Sequence, residues 1–314
     1  MPTLPFMPRI HRPVCYVTCP SWPARSPSEG SDTAQSLAPL ADAFGWQVKV
    51  SPLVERAWAG HGAWTPAAAR LADLRVALRH DVVWALRGGY GCMQLLPDVL
   101  KLRAARKPAF AGFSDNTVMH ALWWENGWEE AFYSRTPPRS PQSRHMSALL
   151  PLMRGKGLHL DQAGDPSVRA LNDGTCEGKL FVACLSVLAG LCGGPLMPDL
   201  RGAILCLEDI DEKPYNVDFS LRQLSLAGAL RGVRGLASGF FTYTEKHDYS
   251  GPHIDTVLGD WARKLGVPCV DRLPFGHIDD HLPLPTGRDA RFVVRRGRWS
   301  LDLLARPRPP WIAA

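Results

Sequence analysis

The chain has 314 residues, 46% of them hydrophobic and 21% charged, with 36 Lys and Arg against 30 Asp and Glu for a net charge of +6. That length gives about two domains as a prior and ample material to bury a core, the composition excludes a disordered chain, and no apolar run reaches the ~18–20 residues of a membrane span. The basic residues are mostly Arg and form no run of five, so nucleic acid is not an expected partner. Residues 1–14 hold four prolines and no apolar core of signal-peptide length, so no secretory leader is expected. The eight cysteines form no C-x-x-C pair and no zinc spacing, which points to a reduced, cytoplasmic protein.

In chain order, residues 14–17 read as a strand, followed by a Ser- and Pro-rich loop over 21–31. Asp32 can cap a helix running to Phe44, with Gly45 just past its end and Pro39 inside it. Residues 47–50 form a second strand. Thr65-Pro66 starts a helix that places Leu71, Leu74 and Leu78 on one face. Residues 82–86 and 108–112 are a third and a fourth strand, and 114–126 are helical. This alternation predicts an α/β fold with a parallel sheet covered by helices. From 136 to 173 the pattern dissolves among Pro137, Pro138, Pro141 and Pro151, and a linker with one short helix near 146–153 is expected. The pattern restarts at Gly174. A buried helix falls at 185–191, a strand at 203–207, a helix at 217–227 and a strand at 236–243. Ile254, Val257, Leu258, Trp261 and Leu265 keep helical spacing up to Gly266, and a hairpin over 291–303 ends the chain. The expected organisation is an N-terminal domain over 1–140, a linker over 141–173 and a smaller C-terminal α/β domain over 174–314, with the active site at their interface.

Four places could carry chemistry. Arg87-Gly88-Gly89-Tyr90-Gly91 follows the third strand. Its glycines allow backbone N–H groups close to a ligand, as an anion cradle, or serve only a tight turn. Gly112-Phe113-Ser114-Asp115-Asn116-Thr117 sits between a strand and a helix, the setting of a nucleophile elbow. Equally, Ser114 or Asp115 could simply cap the helix. Glu208, Asp209, Asp211 and Glu212 cluster at the end of a strand, where a carboxylate could orient a histidine or hold a hard cation, or form a solvated loop. Phe275-Gly276-His277-Ile278-Asp279-Asp280-His281 offers a general base, metal ligands or packed histidines. Ser114, Glu208 and His277 follow in that order, each at or just after a strand, with the serine in the first half and its partners in the second.

At these residues the chain resembles the LD-carboxypeptidase family of serine peptidases, which includes the microcin-C immunity peptidases. The resemblance runs from about 84 to 287 and rests on five stretches: Arg87 to Gly91, Gly112 to Thr117, Leu207-Glu208-Asp209 followed by Pro214-Tyr215, the strand from Gly235 to Phe240, and Phe275-Gly276-His277. It implies a two-domain fold, usually a homodimer, and a Ser–His–Glu triad. Ser114 would be the nucleophile, Glu208 the orienting acid and His277 the base, with the backbone N–H groups of Gly89 and Asp115 as oxyanion donors. The implied reaction is hydrolysis of the amide between an L-centre and a terminal D-amino acid in a murein tetrapeptide, without metal or cofactor. The alternatives are a microcin-type amidase acting on an aminoacyl-nucleotide conjugate, and a non-enzymatic peptide- or nucleotide-binding protein. The substrate would be a small peptide with a terminal carboxylate, for which Arg87 is the candidate receptor, though turn stabilisation explains that residue equally well. His281 matches no family motif position. Val182-Ala183-Cys184-Leu185 stands where the family usually has Gly-Gly-Asn-Leu, and the Ser- and Pro-rich segment after Val17 is no close match.

Overall fold

The computed structural model describes residues 12–57, 65–96, 98–128, 130–137, 142–243 and 249–312. The Pro-rich start over 1–11, and Pro138 and Pro141 of the expected linker, lie outside the described residues. The first half runs β1 (Val14–Thr18), α1 (Glu29–Phe44), β2 (Gln47–Val50), α2 (Pro52–Ala57), α3 (Ala67–Ala77), β3 (Val82–Ala85), β4 (Ala109–Gly112), α4 (Thr117–Glu125) and β5 (Ala131–Tyr133). β3 and β4 are buried at every position. Strands covered on both faces read as continuous apolar runs, and they sit at the centre of a parallel sheet. α1 starts three residues ahead of the expected Asp32, within the segment expected as loop. Both Glu29 and Asp32 fall in its first turn, where carboxylates complement the helix dipole. Its end is as expected: Gly45 is left-handed at φ 69° and its N–H returns to the carbonyl of Ala41.

The second half runs α5 (Arg144–Met153), β6 (Leu158–Asp161), β7 (Arg169–Asn172), β8 (Gly174–Cys184), α6 (Leu185–Gly190), β9 (Ile204–Ile210), α7 (Pro214–Leu226), β10 (Gly235–Thr242), α8 (Ile254–Leu265), β11 (Cys269–Asp271), β12 (Leu284–Thr286), β13 (Asp289–Arg295) and β14 (Arg298–Leu303). Two sheets result. The first has six strands in the order β12-β5-β4-β3-β1-β2, parallel except for β12. The second has eight, in the order β6-β14-β13-β8-β9-β10-β11-β7. Within it β8, β9, β10 and β11 are parallel and the flanking strands antiparallel.

The segment expected as a linker over 141–173 with one short helix carries that helix as α5 and two short strands besides. Ser143 caps α5 by accepting from the N–H of Met146 at 3.2 Å. β6 and β7 then supply the two outer strands of the second sheet, on β14 and on β11. Each is four residues long and only partly buried, too short for an alternation to stand out. The chain also crosses back: β12 joins the first sheet beside β5, where the missing N–H of Pro285 is tolerated on an outer strand. Two residues later, buried Arg288 grips buried Glu130 with Nε and Nη2. Its other N–H groups donate to the carbonyls of Lys156, Leu304 and Leu152, each at 3.0 Å. A buried ion pair with its remaining donors used is costly to break from one side, at roughly 3–5 kcal/mol, so this contact fixes the crossing that brings the loop before β12 against the first sheet.

Candidate active site

Ser114 leaves β4 in a left-handed conformation, φ 62°, rare for a residue with a side chain. The turn is over-determined by its neighbours. Asn116 Nδ2 donates to the carbonyls of Arg87 and Phe113, both at 3.0 Å, and Thr117 Oγ1 donates to the carbonyl of Ser114 at 2.8 Å. Neither Ser114 nor Asp115 caps the helix that follows. Asp115 is buried, and its carboxylate accepts from Ser21 Oγ at 2.7 Å and from the N–H of Cys92 at 2.9 Å, tying the elbow to the end of the glycine loop. That loop packs directly on the elbow: a Cβ on Gly88 would lie 2.8 Å from both the carbonyl oxygen of Phe113 and the Cβ of Ser114. Only glycine allows that approach.

The second sheet brings the partners. Glu208 lies in β9 and is fully buried. His277 follows β11 in a loop that turns at Gly276, φ 114°. His277 Nδ1–H donates to Glu208 Oε2 at 2.7 Å, and the His277 backbone N–H donates to the same oxygen at 3.1 Å. With Nδ1 protonated, Nε2 presents its lone pair 3.1 Å from Ser114 Oγ. The three residues singled out in the sequence therefore form one continuous line of hydrogen bonds.

Two other acids of the cluster part company with Glu208. Asp209, one residue on, is buried and accepts from the N–H of Ser186 at 2.7 Å, from Cys184 Sγ at 3.2 Å and from the N–H of Ile210 at 2.9 Å. Burial pushes its pKa up from the ordinary carboxylate value. Asp211, exposed and left-handed at φ 57°, reaches the cleft beside Ser114. Among the described residues no group of three or more His, Cys, Asp or Glu is placed to hold a metal ion.

His281 is buried and holds the loop from inside. Its Nδ1 accepts the N–H of Gly276 at 3.1 Å, and its Nε2–H donates to the carbonyl of Tyr133 at 3.2 Å. Burial, with the nearby His145 adding to it, lowers its pKa to about 3, so the ring stays neutral. The departure at 182–185 backs the elbow: the N–H of Cys184 donates to Thr117 Oγ1 at 2.9 Å, the hydroxyl that holds the carbonyl of Ser114.

A cleft of about 1030 Å³ opens over Ser114 and His277. Gly89 and Arg87 line it, and the Arg87 guanidinium lies 5.5 Å over the Trp22 ring. Of the other arginines on its wall, Arg25 pairs with Glu29, and Arg135 donates to the carbonyl of Asp279. Among the described residues no carboxylate is hydrogen-bonded to Arg87, whose pKa is lowered first by burial. Three residues of the site escaped the sequence reading. Trp22 lies in the Ser- and Pro-rich loop, and Arg135 at the edge of the stretch where periodicity fails. Tyr133 ends a three-residue strand, and its O–H donates to Glu208 Oε1 at 2.5 Å.

The fold is a two-sheet α/β architecture in which a serine, a histidine and a glutamate stand in one line of hydrogen bonds. Residues 15–134 match the LD-carboxypeptidase N-terminal domain and residues 177–292 the LD-carboxypeptidase C-terminal domain. The chain belongs to the LD-carboxypeptidase family. It is 31% identical over 251 residues to the murein tetrapeptide carboxypeptidase of Pseudomonas aeruginosa, covering 73% of this chain and 79% of that one. The crystal structure of a muramoyltetrapeptide carboxypeptidase from Oxalobacter formigenes superposes with a TM-score of 0.74 at 25% identity, over 94% of this chain and 99% of that chain. A MccF-like protein from Bacillus anthracis superposes with a TM-score of 0.75 over 94% of this chain and 97% of its own; at 19% identity that likeness shows the fold alone. Among the described residues no helix is long and apolar enough to cross a membrane.

Proposed function

We propose that the chain is a serine LD-carboxypeptidase that removes the terminal D-amino acid from a murein tetrapeptide. The observation that carries this reading is the line from Ser114 Oγ through His277 to Glu208, at 3.1 and 2.7 Å. His277 Nε2 takes the proton from Ser114 as Oγ attacks the amide carbonyl. Glu208 fixes the Nδ1–H tautomer and stabilises the imidazolium. The N–H of Ser114 is engaged by Tyr133 at 3.2 Å, so the oxyanion falls to the backbone N–H groups of Gly89 and Asp115. His277 then protonates the leaving amine, and water releases the acyl group. Arg87, stacked on Trp22 and hydrogen-bonded to no carboxylate among the described residues, receives the terminal carboxylate. No metal or cofactor enters these steps.

The relative from Pseudomonas aeruginosa supports the substrate class. The eight free cysteines fit a reducing, cytoplasmic setting, and the homodimer is carried over from the family resemblance. The test is a side-by-side assay of a murein tetrapeptide and an aminoacyl-nucleotide conjugate. Release of the terminal D-amino acid is the expected result. Cleavage of the conjugate alone would transfer the chain to the microcin-type amidases, and binding without cleavage of either would leave a peptide- or nucleotide-binding protein.

A further inference from the structure

The site contains a polar group to which the triad assigns no part. Tyr133 ends β5, next to β4 in the first sheet, and is fully buried. Its ring packs against Phe113 and His120, with centroids 5.0 and 5.3 Å apart. Its carbonyl takes the Nε2–H of His281. A phenol has one hydrogen to give and two lone pairs to receive with. Here the hydrogen goes to Glu208 Oε1 at 2.5 Å, and the oxygen accepts the N–H of Ser114 at 3.2 Å. A buried tyrosine needs one partner to satisfy its hydroxyl. This one has two, the triad acid and the backbone of the nucleophile, which come from different sheets.

We infer that Tyr133 is a positioning residue that couples the nucleophile to the acid of the triad, holding Glu208 in register with His277 while fixing the backbone of Ser114. The inference rests on the reading of Ser114, His277 and Glu208 as the triad. Two consequences follow from the geometry. Glu208 has no solvent contact, and His277 uses only Oε2, so among the described residues the phenol is the donor that serves Oε1. Charge-assisted bonds of this kind favour the ionised carboxylate. Without the phenol, the state in which His277 is neutral and Glu208 carries an uncompensated charge loses most. The coupled His–Glu pair then holds its proton to higher pH. In addition, the left-handed backbone at Ser114 loses one of the bonds that hold it, so Oγ is less well aimed.

The test is Tyr133→Phe, which keeps the ring and its packing and removes only the hydroxyl. Turnover of the tetrapeptide is measured across pH, with circular dichroism and a thermal melt to confirm folding. A hydrogen bond to a charged group lost in this way predicts a fall of about 10- to 100-fold in kcat. KM should change less than about threefold, and the acid limb of the kcat profile should move to higher pH by at least about half a unit. A second variant covers the case in which the phenylalanine protein folds poorly. 3-Fluorotyrosine incorporated at 133 keeps the hydroxyl as a stronger donor, and it should move the acid limb to lower pH. A merely structural tyrosine would leave the limb in place in both proteins, and that result overturns the inference. Ser114→Ala is measured alongside: if it retains turnover, the triad reading fails instead, and the two failures are told apart.

Discussion

Gly276→Ala is the substitution that presses hardest on the acid of the site. Gly276 has φ 114°, a conformation costing an L-residue on the order of 1–3 kcal/mol. The new methyl would also lie 2.8 Å from Glu208 Oε2, 3.1 Å from Glu208 Cβ and 3.2 Å from the carbonyl oxygen of Phe240. Glu208 has little room to retreat. It is fully buried, and both oxygens are bonded, to Tyr133 and to His277. Overpacking of this kind adds about 1–3 kcal/mol, so a total loss of stability of roughly 2–6 kcal/mol is expected. The displacement falls on the 2.7 Å contact that orients the imidazole, and a misplacement near 1 Å is enough for about a hundredfold loss of rate. The control is Gly287→Ala, where φ is 93° but no atom lies within 4 Å of the added Cβ. It should show the backbone cost alone, about 1–3 kcal/mol, with turnover unchanged. Urea melts and release of D-amino acid from the tetrapeptide report the two quantities for both variants. A Gly276→Ala enzyme within threefold of wild-type turnover, or a Gly287→Ala enzyme equally impaired, would refute the reasoning.

Three further outcomes are expected. His277→Ala should lose at least ~10³-fold in turnover, as removal of a triad base does, whereas His281→Ala should lose less than about tenfold in the folded fraction and show its cost in the melt; the reverse ranking would move the base. Arg87→Ala should raise KM for the tetrapeptide more than about tenfold and leave a substrate amidated at its C-terminus unaffected, and an equal loss on both substrates would remove Arg87 from carboxylate recognition. Burial lowers the pKa of His120 and His145 to about 4 and of His281 to about 3. Their contribution to stability is therefore complete above the unfolded value near 6.5 and is lost as pH falls toward the folded values. Three such groups give about 3 kcal/mol of destabilisation between pH 6.5 and 5.5, and urea melts that are flat over that interval would contradict the neutral state of these rings.

What the sequence revealed, and what it hid, follows from burial and length. β3 and β4 were readable because central parallel strands are apolar at every position. The residues at their carboxyl ends, the glycine loop and Ser114, stood out for the same reason. Glu208 was found at the end of an apolar strand and His277 behind a Phe-Gly pair, but their meeting with Ser114 depends on how two sheets dock, which no local pattern encodes. β6 and β7 look like linker in the sequence because four partly exposed residues carry no period. β12 hid behind Pro285, which reads as a breaker and is harmless on an outer strand. Tyr133 shows the limit most clearly. Nothing in Ala131-Phe132-Tyr133 distinguishes the tyrosine from a core aromatic, and its partners lie 19 and 75 residues away along the chain.

The central claim is that Ser114 is a nucleophile made reactive by His277 and Glu208. Peptide mass spectrometry after reaction with a fluorophosphonate tests it directly, because the reagent reports an activated serine whatever the natural substrate. The account predicts a single phosphonylated site at Ser114, absent in Ser114→Ala and formed at least ~10²-fold more slowly in His277→Ala. An unmodified Ser114 in folded protein, or adduct formation that persists at another serine in Ser114→Ala with hydrolysis intact, would contradict it.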